Sequence, residues 1–264
     1  MSVIGIDTSN YTTSLAFFDG EGGENCSRLL PVRQGELGLR QSDAVFAHIK
    51  SLPELSGRLF SHIRKDAITA VGVSTRPRAV EGSYMPCFMV GYSHAKLLSD
   101  ALDVPLVEVS HQQGHVAASL WSAGRMDLLE KPHLAWHLSG GTTELLLVEP
   151  EGKNVKCTRI GGTTDISAGQ LIDRTGKKLG LPFPAGKAVD ELSLQARDKT
   201  HFRVKVSDCT FSFSGIENKM NALAEGGTPP AEVCWYVLSS IIQGVETATQ
   251  QALVRYPGLP VLCA

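Results

Sequence analysis

Residues 134–149 read Leu-Ala-Trp-His-Leu-Ser-Gly-Gly-Thr-Thr-Glu-Leu-Leu-Leu-Val-Glu, two apolar runs on either side of a short polar bend. Two strands joined by a turn at Ser139, Gly140, Gly141, Thr142 and Thr143 fit this pattern. Adjacent glycines allow φ above zero in the turn and leave no side chain between the backbone N–H groups and a ligand. With hydroxyls on both sides, such a tip is a candidate cradle for phosphate oxygens. For a lone Gly-Gly an ordinary hairpin turn is the commoner account.

A second hairpin strengthens the ligand reading. Near the N-terminus Val3, Ile4, Gly5 and Ile6 lead into Asp7-Thr8-Ser9-Asn10-Tyr11-Thr12-Thr13, and Leu15, Ala16, Phe17 and Phe18 follow. Strand, hydroxyl-rich loop and strand therefore recur about half a chain apart. Two such hairpins, each opening a βββαβα-like unit, are what a duplicated α/β nucleotide-binding architecture shows, with a phosphate held between the tips. His137, two residues before Ser139, is placed where His111 and His115 could meet it.

Between the hairpins the pattern is α/β. Residues 20–34 read as a polar connection, and residues 34–38 as more loop. Over residues 42–63 the apolar positions Val45, Ile49, Leu52, Leu55, Leu59 and Ile63 recur three or four apart, a helical spacing that Pro53 should break in two. Residues 68–74 form a short strand, and Arg76-Pro77-Arg78 follows as an anion-holding or simply solvated pair of arginines. A helix is expected from about Met85 to Leu102, and a strand over residues 104–109. His111 and His115 then stand four apart; in a helix both imidazoles share one face within reach of a single cation. Zinc or iron suits imidazole nitrogen, and His137 is the candidate third ligand. The competing picture is a capped helix with one histidine packed and one in water.

Beyond the central hairpin, residues 161–169 form a second glycine- and hydroxyl-rich stretch, with Asp165 to Ser167 capping a helix that buries Leu171, Ile172, Thr175 and Leu179. Asp173 lies within that helix, either solvated or in contact with a ribose or cation. Residues 180–186 make a tight loop, and Asp190 comes one turn into the next segment. Residues 211–215 alternate aromatic and hydroxyl as a half-buried strand does, and residues 233–253 form an apolar helix. Residues 259–264 read as a buried strand. A doubly wound fold carries such a strand on into a loop and helix, so the second lobe is expected to be truncated at its C-terminus.

With 264 residues the chain suits one large or two medium domains. A net charge of −2 gives no global drive toward nucleic acid, so such a contact needs a local basic patch or partner proteins. Six scattered cysteines without a Cys-x-x-Cys pair suit a reduced compartment. With neither a leader nor a membrane span read in the sequence, a soluble, cytoplasmic protein is expected.

Taken in order, Gly5-Ile6-Asp7-Thr8-Ser9, His111-x-x-x-His115, Ser139-Gly140-Gly141, Asp173, Gly180-Leu181, Gly186 and Phe211-Ser212-Phe213-Ser214-Gly215 resemble the TsaD-type threonylcarbamoyl-adenosine synthase family. That family was once labelled O-sialoglycoprotein endopeptidase and falls in the actin and hexokinase-like superfamily. The resemblance implies a duplicated actin-like ATPase (ribonuclease H-like) fold, with lobes at residues 1–110 and 111–264, the second beginning with the metal-binding helix. It implies transfer of a threonylcarbamoyl group from its adenylate to N6 of an adenosine beside the tRNA anticodon. It further implies one divalent metal, Fe or Zn, on His111 and His115. ATP or threonylcarbamoyl-adenylate would lie at His137, Leu138, Ser139, Gly140, Gly141, Asp173, Gly186 and Asp190. Asp7 is the candidate catalytic residue. The expected partners are tRNA, other subunits of a threonylcarbamoylation complex, and a homo- or heterodimer mate.

The chain departs from the family pattern at several points. Asn10, Tyr11 and Thr12 stand where relatives carry Cys-Asp-Glu, Thr142 where they carry His or Asn, Arg76-Pro77-Arg78 for Gly-Pro-Gly, and Pro184-Ala185-Gly186-Lys187 for Pro-Gly-Gly-Pro. Two alternatives are therefore carried: a metal-dependent ATP-binding paralogue or ATPase with another acceptor, and a non-catalytic scaffold lobe. A peptidase is disfavoured, because His111 and His115 lack the glutamate of His-Glu-x-x-His.

Overall fold

Burial alternates residue by residue along Ser2–Thr8 (β1), the mark of a strand with a covered face and a half-covered one. In the computed structural model, which describes residues 2–9, 11–31, 39–199 and 203–263, β1 is the centre of a five-stranded sheet. Thr12–Phe18 (β2) pairs antiparallel with β1, and Gly23–Leu29 (β3) antiparallel with β2. Ile68–Arg76 (β4) and Leu106–Ser110 (β5) continue in parallel on the other side, giving the order β3-β2-β1-β4-β5. Gln41–Phe60 (α1) and Phe88–Leu102 (α2) supply Leu52, Leu55, Leu59, Val90 and Ala95 to the core formed with Ile4, Ile6, Leu15, Val71 and Val73.

The chain divides into two compact units, Met1–His115 and Val116–Ala264. The division falls inside His111–Ser122 (α3), which leaves both histidines in the first unit.

The second unit repeats the antiparallel opening. His133–Leu138 (β6), Thr143–Glu151 (β7) and Asn154–Thr163 (β8) form a meander. Thr210–Phe211 (β9) pairs parallel with β8, and Val261–Cys263 (β10) parallel with β6. The order is β10-β6-β7-β8-β9. On one face Leu134, Trp136 and Leu145 meet Leu171 of Ala168–Lys178 (α4) and Val237, Ile241 and Ala248 of Pro230–Arg255 (α7). On the other, Ala135, Leu146 and Val148 meet Val116, Leu120 and Leu128. Gly186–Ser193 (α5) and Ser214–Glu225 (α6) complete the unit. Among the described residues no helix is long and apolar enough to cross a membrane.

Several sequence expectations are corrected. Pro53 does not split α1, which runs unbroken for 20 residues. Proline frees the carbonyl four residues earlier, here that of Ile49, and both residues face water, while Leu52, Leu55 and Leu59 hold the helix to the core. The polar stretch 20–34 contains β3, an edge strand that buries only Cys26 and so shows no apolar pattern. The strand expected over residues 211–215 ends at Phe211 and gives way to α6. Gly161 and Gly162 belong to β8, where a Cβ would come within 2.4 Å of the Cys209 carbonyl and 2.2 Å of the Thr143 carbonyl. They permit close packing of backbones and line no loop. Asn10, residues 34–38 and Ala264 lie outside the described residues.

Candidate metal and phosphate sites

Helix α3 follows β5 without a loop, so Ser110 ends the strand and His111 starts the helix. The four-residue spacing then stacks His115 over His111, with their Nε2 atoms 3.0 Å apart. On one cation with metal–nitrogen bonds of about 2.05 Å, two nitrogens stand roughly 2.9 to 3.4 Å apart for angles between right and tetrahedral. The observed separation lies within that interval.

Asp7 fixes the arrangement from behind. Its Oδ2 lies 2.8 Å from His111 Nδ1 and its Oδ1 accepts the Ser9 N–H at 2.9 Å. Burial alone would raise this carboxyl. The His111 hydrogen bond and charge, the Ser74 hydroxyl and the Ser9 N–H outweigh burial and hold it well below the usual carboxylate range. An ionised Asp7 keeps the His111 proton on Nδ1, so Nε2 keeps its lone pair on the side facing His115 Nε2. For His115, burial first and then the neighbouring His111 lower the pKa, against a smaller pull from Asp7. A neutral imidazole is the form that binds a metal. Two nitrogens backed by a carboxylate thus suit a zinc- or iron-like cation. Among the described residues no three His, Cys, Asp or Glu side chains form a complete ligand set. The structure brings His111 and His115 together and places His137 in the second unit.

There His137 is buried in β6 opposite Glu144, with Nδ1 3.4 Å from Thr142 Oγ1. The tip beside it is closed by side chains. Ser139 Oγ accepts the N–H groups of Thr142 at 3.1 Å and Gly141 at 3.3 Å, and lies 2.7 Å from Thr142 Oγ1. Neither Gly140 nor Gly141 has positive φ, contrary to the expectation; the bend they centre is closed by the Ser139 N–H donating to the Thr142 carbonyl at 2.9 Å. A Cβ at either glycine would meet nothing within 4 Å. Folding does not demand glycine there, and no side chain crowds the tip on the side where a Cβ would stand. Leu138 is half-exposed at the edge of the same tip.

Helix α4 begins against this tip. Ser167 caps it by accepting the Gln170 N–H, and its hydroxyl donates to the Gly140 carbonyl at 2.9 Å. The Ala168 N–H donates to Thr143 Oγ1 at 2.8 Å. Gly169 is needed for the approach, since its Cβ would stand 2.6 Å from the Ser139 carbonyl oxygen. The positive end of α4 is thereby set beside the glycine tip, an arrangement suited to an anion.

Asp173 does something the sequence did not suggest. Its Oδ1 accepts the Ala185 N–H at 2.9 Å and so holds the loop before Gly186 and α5, the helix that carries Asp190. Asp165, read only as a capping residue, also accepts from the backbone of Phe213 and Ser214 and from the Ser212 hydroxyl. Burial would raise its pKa, but these bonds hold the carboxyl well below its ordinary range. The Asp7–His111 link spans 104 positions and had no local signal.

The family model described as TsaD, tRNA N6-adenosine threonylcarbamoyltransferase, matches residues 38–263. The chain belongs to the TsaD family. A relative named tRNA N6-adenosine threonylcarbamoyltransferase from Streptococcus equi subsp. zooepidemicus (strain MGCS10565) is 33% identical over 207 residues, 75% of this chain and 57% of the relative. One of the same name from Lactococcus lactis subsp. cremoris (strain MG1363) is 35% identical over 161 residues, 60% of this chain and 44% of the relative. The chain thus spans well under two thirds of the length of these TsaD relatives. Among solved structures, HypF of T. kodakarensis aligns with a TM-score of 0.56 at 11% identity, over 98% of this chain and 40% of that one. Full-length HypF in its phosphate- and nucleotide-bound form aligns with a TM-score of 0.51 at 13% identity, over 99% and 44%. At such identities the likeness speaks for fold alone. The chain has the α/β, actin-like fold expected for TsaD.

Proposed function

We propose that the protein transfers a threonylcarbamoyl group from threonylcarbamoyl-adenylate to N6 of an adenosine in tRNA. The observation that carries this reading is the pair of Nε2 atoms at 3.0 Å, one of them oriented by the ionised Asp7, in a chain of the TsaD family. His111 and His115 would hold one divalent cation, iron or zinc. When bound, that ion supplies Lewis acidity to a carbonyl or an anchor for the threonyl carboxylate. Asp7 acts through His111 by keeping its proton on Nδ1. In the second unit the Gly140 N–H, the Gly141 N–H on exchanging its long bond to Ser139 Oγ for the ligand, and the first turn of α4 would hold phosphate oxygens. Asp173 positions Gly186 and Asp190 for the rest of the nucleotide, and His137 packs behind Thr142.

In the reaction the N6 amine attacks the carbamoyl carbon, a C–N bond forms, the bond to the adenylate phosphate oxygen breaks, and AMP leaves as N6 gives up a proton. The phosphate charge that grows on the leaving group is what backbone N–H donors stabilise. The tRNA, companion subunits of a threonylcarbamoylation complex and a dimer mate belong to this proposal, as does action in the cytoplasm. The test is transfer of labelled threonine from its carbamoyl-adenylate to unmodified tRNA; a protein that binds ATP and cobalt but transfers nothing, alone or with candidate companion subunits, refutes it. A second reading, an ATP-dependent paralogue with another acceptor, is favoured by Tyr11 and Thr12, which stand where the family pattern carries acids.

A further inference from the structure

Beneath the hairpin of the first unit lies an imidazole that the proposed chemistry leaves unused. His48 is fully buried in α1, where an apolar side chain would pack without a polar cost. Its Nδ1 lies 2.8 Å from Thr13 Oγ1. Its Nε2 faces the Ser9 backbone without closing a well-formed hydrogen bond. Burial lowers its pKa, so the ring is neutral and has one N–H to place. Taking the Thr13 hydroxyl proton on Nδ1 leaves Nε2–H for the Ser9 carbonyl.

Thr13 faces Thr8 across the hairpin, and both threonines are fully buried. Thr8 is clamped by α2, its hydroxyl donating to the Cys87 carbonyl at 2.9 Å and accepting the Gly91 N–H at 3.0 Å. One stem is therefore tied to α2 and the other, through His48, to α1. Asp7 precedes Thr8 and grips the Ser9 N–H, so Ser9 is bounded by Asp7 on its amide side and by His48 on its carbonyl side.

We propose that His48 is a positioning residue: by holding Thr13 and facing Ser9 it sets the Asp7 carboxylate that orients His111. The inference rests on the metal reading above, and its test separates the two. Cobalt(II) affinity, melting temperature and the 15N-histidine NMR signal of the His111 Nδ1–H are measured in wild type, His48→Leu, His48→Asn and Thr13→Val. Outer-shell partners of a metal site are worth roughly 10- to 100-fold in affinity. The expected result is a loss of about tenfold in His48→Leu and Thr13→Val, with the Nδ1–H signal shifted or broadened even without metal. His48→Asn, whose amide can still meet Thr13, keeps affinity within about threefold although its melting temperature drops. Wild-type affinity and signal in His48→Leu overturn the inference, as does an affinity in all variants that simply follows melting temperature. If His48→Leu does not fold, Thr13→Val decides. If wild type binds no cobalt, the metal reading falls and the NMR signal still judges His48.

Discussion

Gly169→Ala should damage both folding and nucleotide binding. The added Cβ would stand 2.6 Å from the Ser139 carbonyl oxygen and 2.7 Å from Gly140 Cα, all backbone that cannot rotate aside. Reaching an ordinary contact of 3.4 Å requires the tip and α4 to part by about 0.8 Å. Opening by that much stretches the Ser167–Gly140 and Ala168–Thr143 hydrogen bonds, now 2.9 and 2.8 Å, past the useful range. Two bonds at about 1 kcal/mol each and overpacking of about 1–3 kcal/mol, less about 1 kcal/mol that alanine gains over glycine in a helix, leave a net loss of roughly 2–4 kcal/mol. Urea unfolding reads that number. Displacement of one charge-assisted N–H contact to phosphate is worth about 1.5–3 kcal/mol, so ATP affinity should fall roughly 10- to 100-fold. Gly141→Ala is the contrast, because its Cβ meets nothing within 4 Å. It should leave stability within about 0.5 kcal/mol and still weaken ATP binding at least about tenfold. An unchanged ATP affinity in Gly141→Ala would refute the cradle, and unchanged stability in Gly169→Ala would refute the packing argument.

Asp7→Asn keeps the shape but loses the charge that holds the His111 proton on Nδ1, and should cut cobalt affinity about 10- to 100-fold in a calorimetric titration. The buried His48 makes stability depend on pH. Its folded pKa is below the ordinary 6.5, so its contribution is complete above pH 6.5 and is lost as pH falls, because the unfolded chain takes the proton first. Urea midpoints at pH 7.5 and 5.5 should therefore fall less in His48→Asn than in wild type. Pro53→Ala restores an N–H for the Ile49 carbonyl and should stabilise the protein by about 1–3 kcal/mol by the same measurement. Asp165→Ala removes the acceptor shared by Ser212, Phe213 and Ser214 and should cost about 2 kcal/mol.

Strand alternation and helical spacing are local properties, and they were legible: β1, β2, β4, β6, β7, α4 and α7 fall where the apolar pattern placed them. The face shared by His111 and His115 was legible for the same reason, since four residues make about one helical turn. What the sequence hid depends on partners far along the chain. The edge strand β3 is polar because only Cys26 reaches the core beneath α1, and α1 survives Pro53 because its leucines are packed on strands that come both before and after it. Gly161 and Gly169 read as members of one glycine- and hydroxyl-rich stretch, yet each is small for the backbone it meets, Cys209 in one case and Ser139 in the other. Gly140 and Gly141 are the central residues of the bend, as their sequence suggested, but neither needs positive φ there, and Ser139 Oγ accepts from the backbone across it.

The two hairpins share a device that no motif names. In the first, the Thr8 hydroxyl accepts an N–H from the opening turn of α2; in the second, the Thr143 hydroxyl accepts one from the opening turn of α4. The threonines lie on opposite strands of their hairpins, Thr8 closing β1 and Thr143 opening β7, so the likeness is one of physics and not of alignment. A hydroxyl donates as well as accepts, so a stem threonine can take a helix N–H and also pass a proton to a nearby carbonyl, Cys87 for Thr8 and Thr142 for Thr143. Valine fills the same volume and does neither. In each unit the bend that carries the candidate chemistry is anchored through a buried polar contact, which fixes direction where apolar packing would fix only distance. Thr143→Val should accordingly weaken ATP binding by about tenfold at little change in core volume, and a Thr143→Ser variant, which keeps the hydroxyl and loses the methyl, should bind like wild type while melting lower. If the serine variant bound ATP as weakly as the valine variant, the anchoring role of the hydroxyl would be excluded.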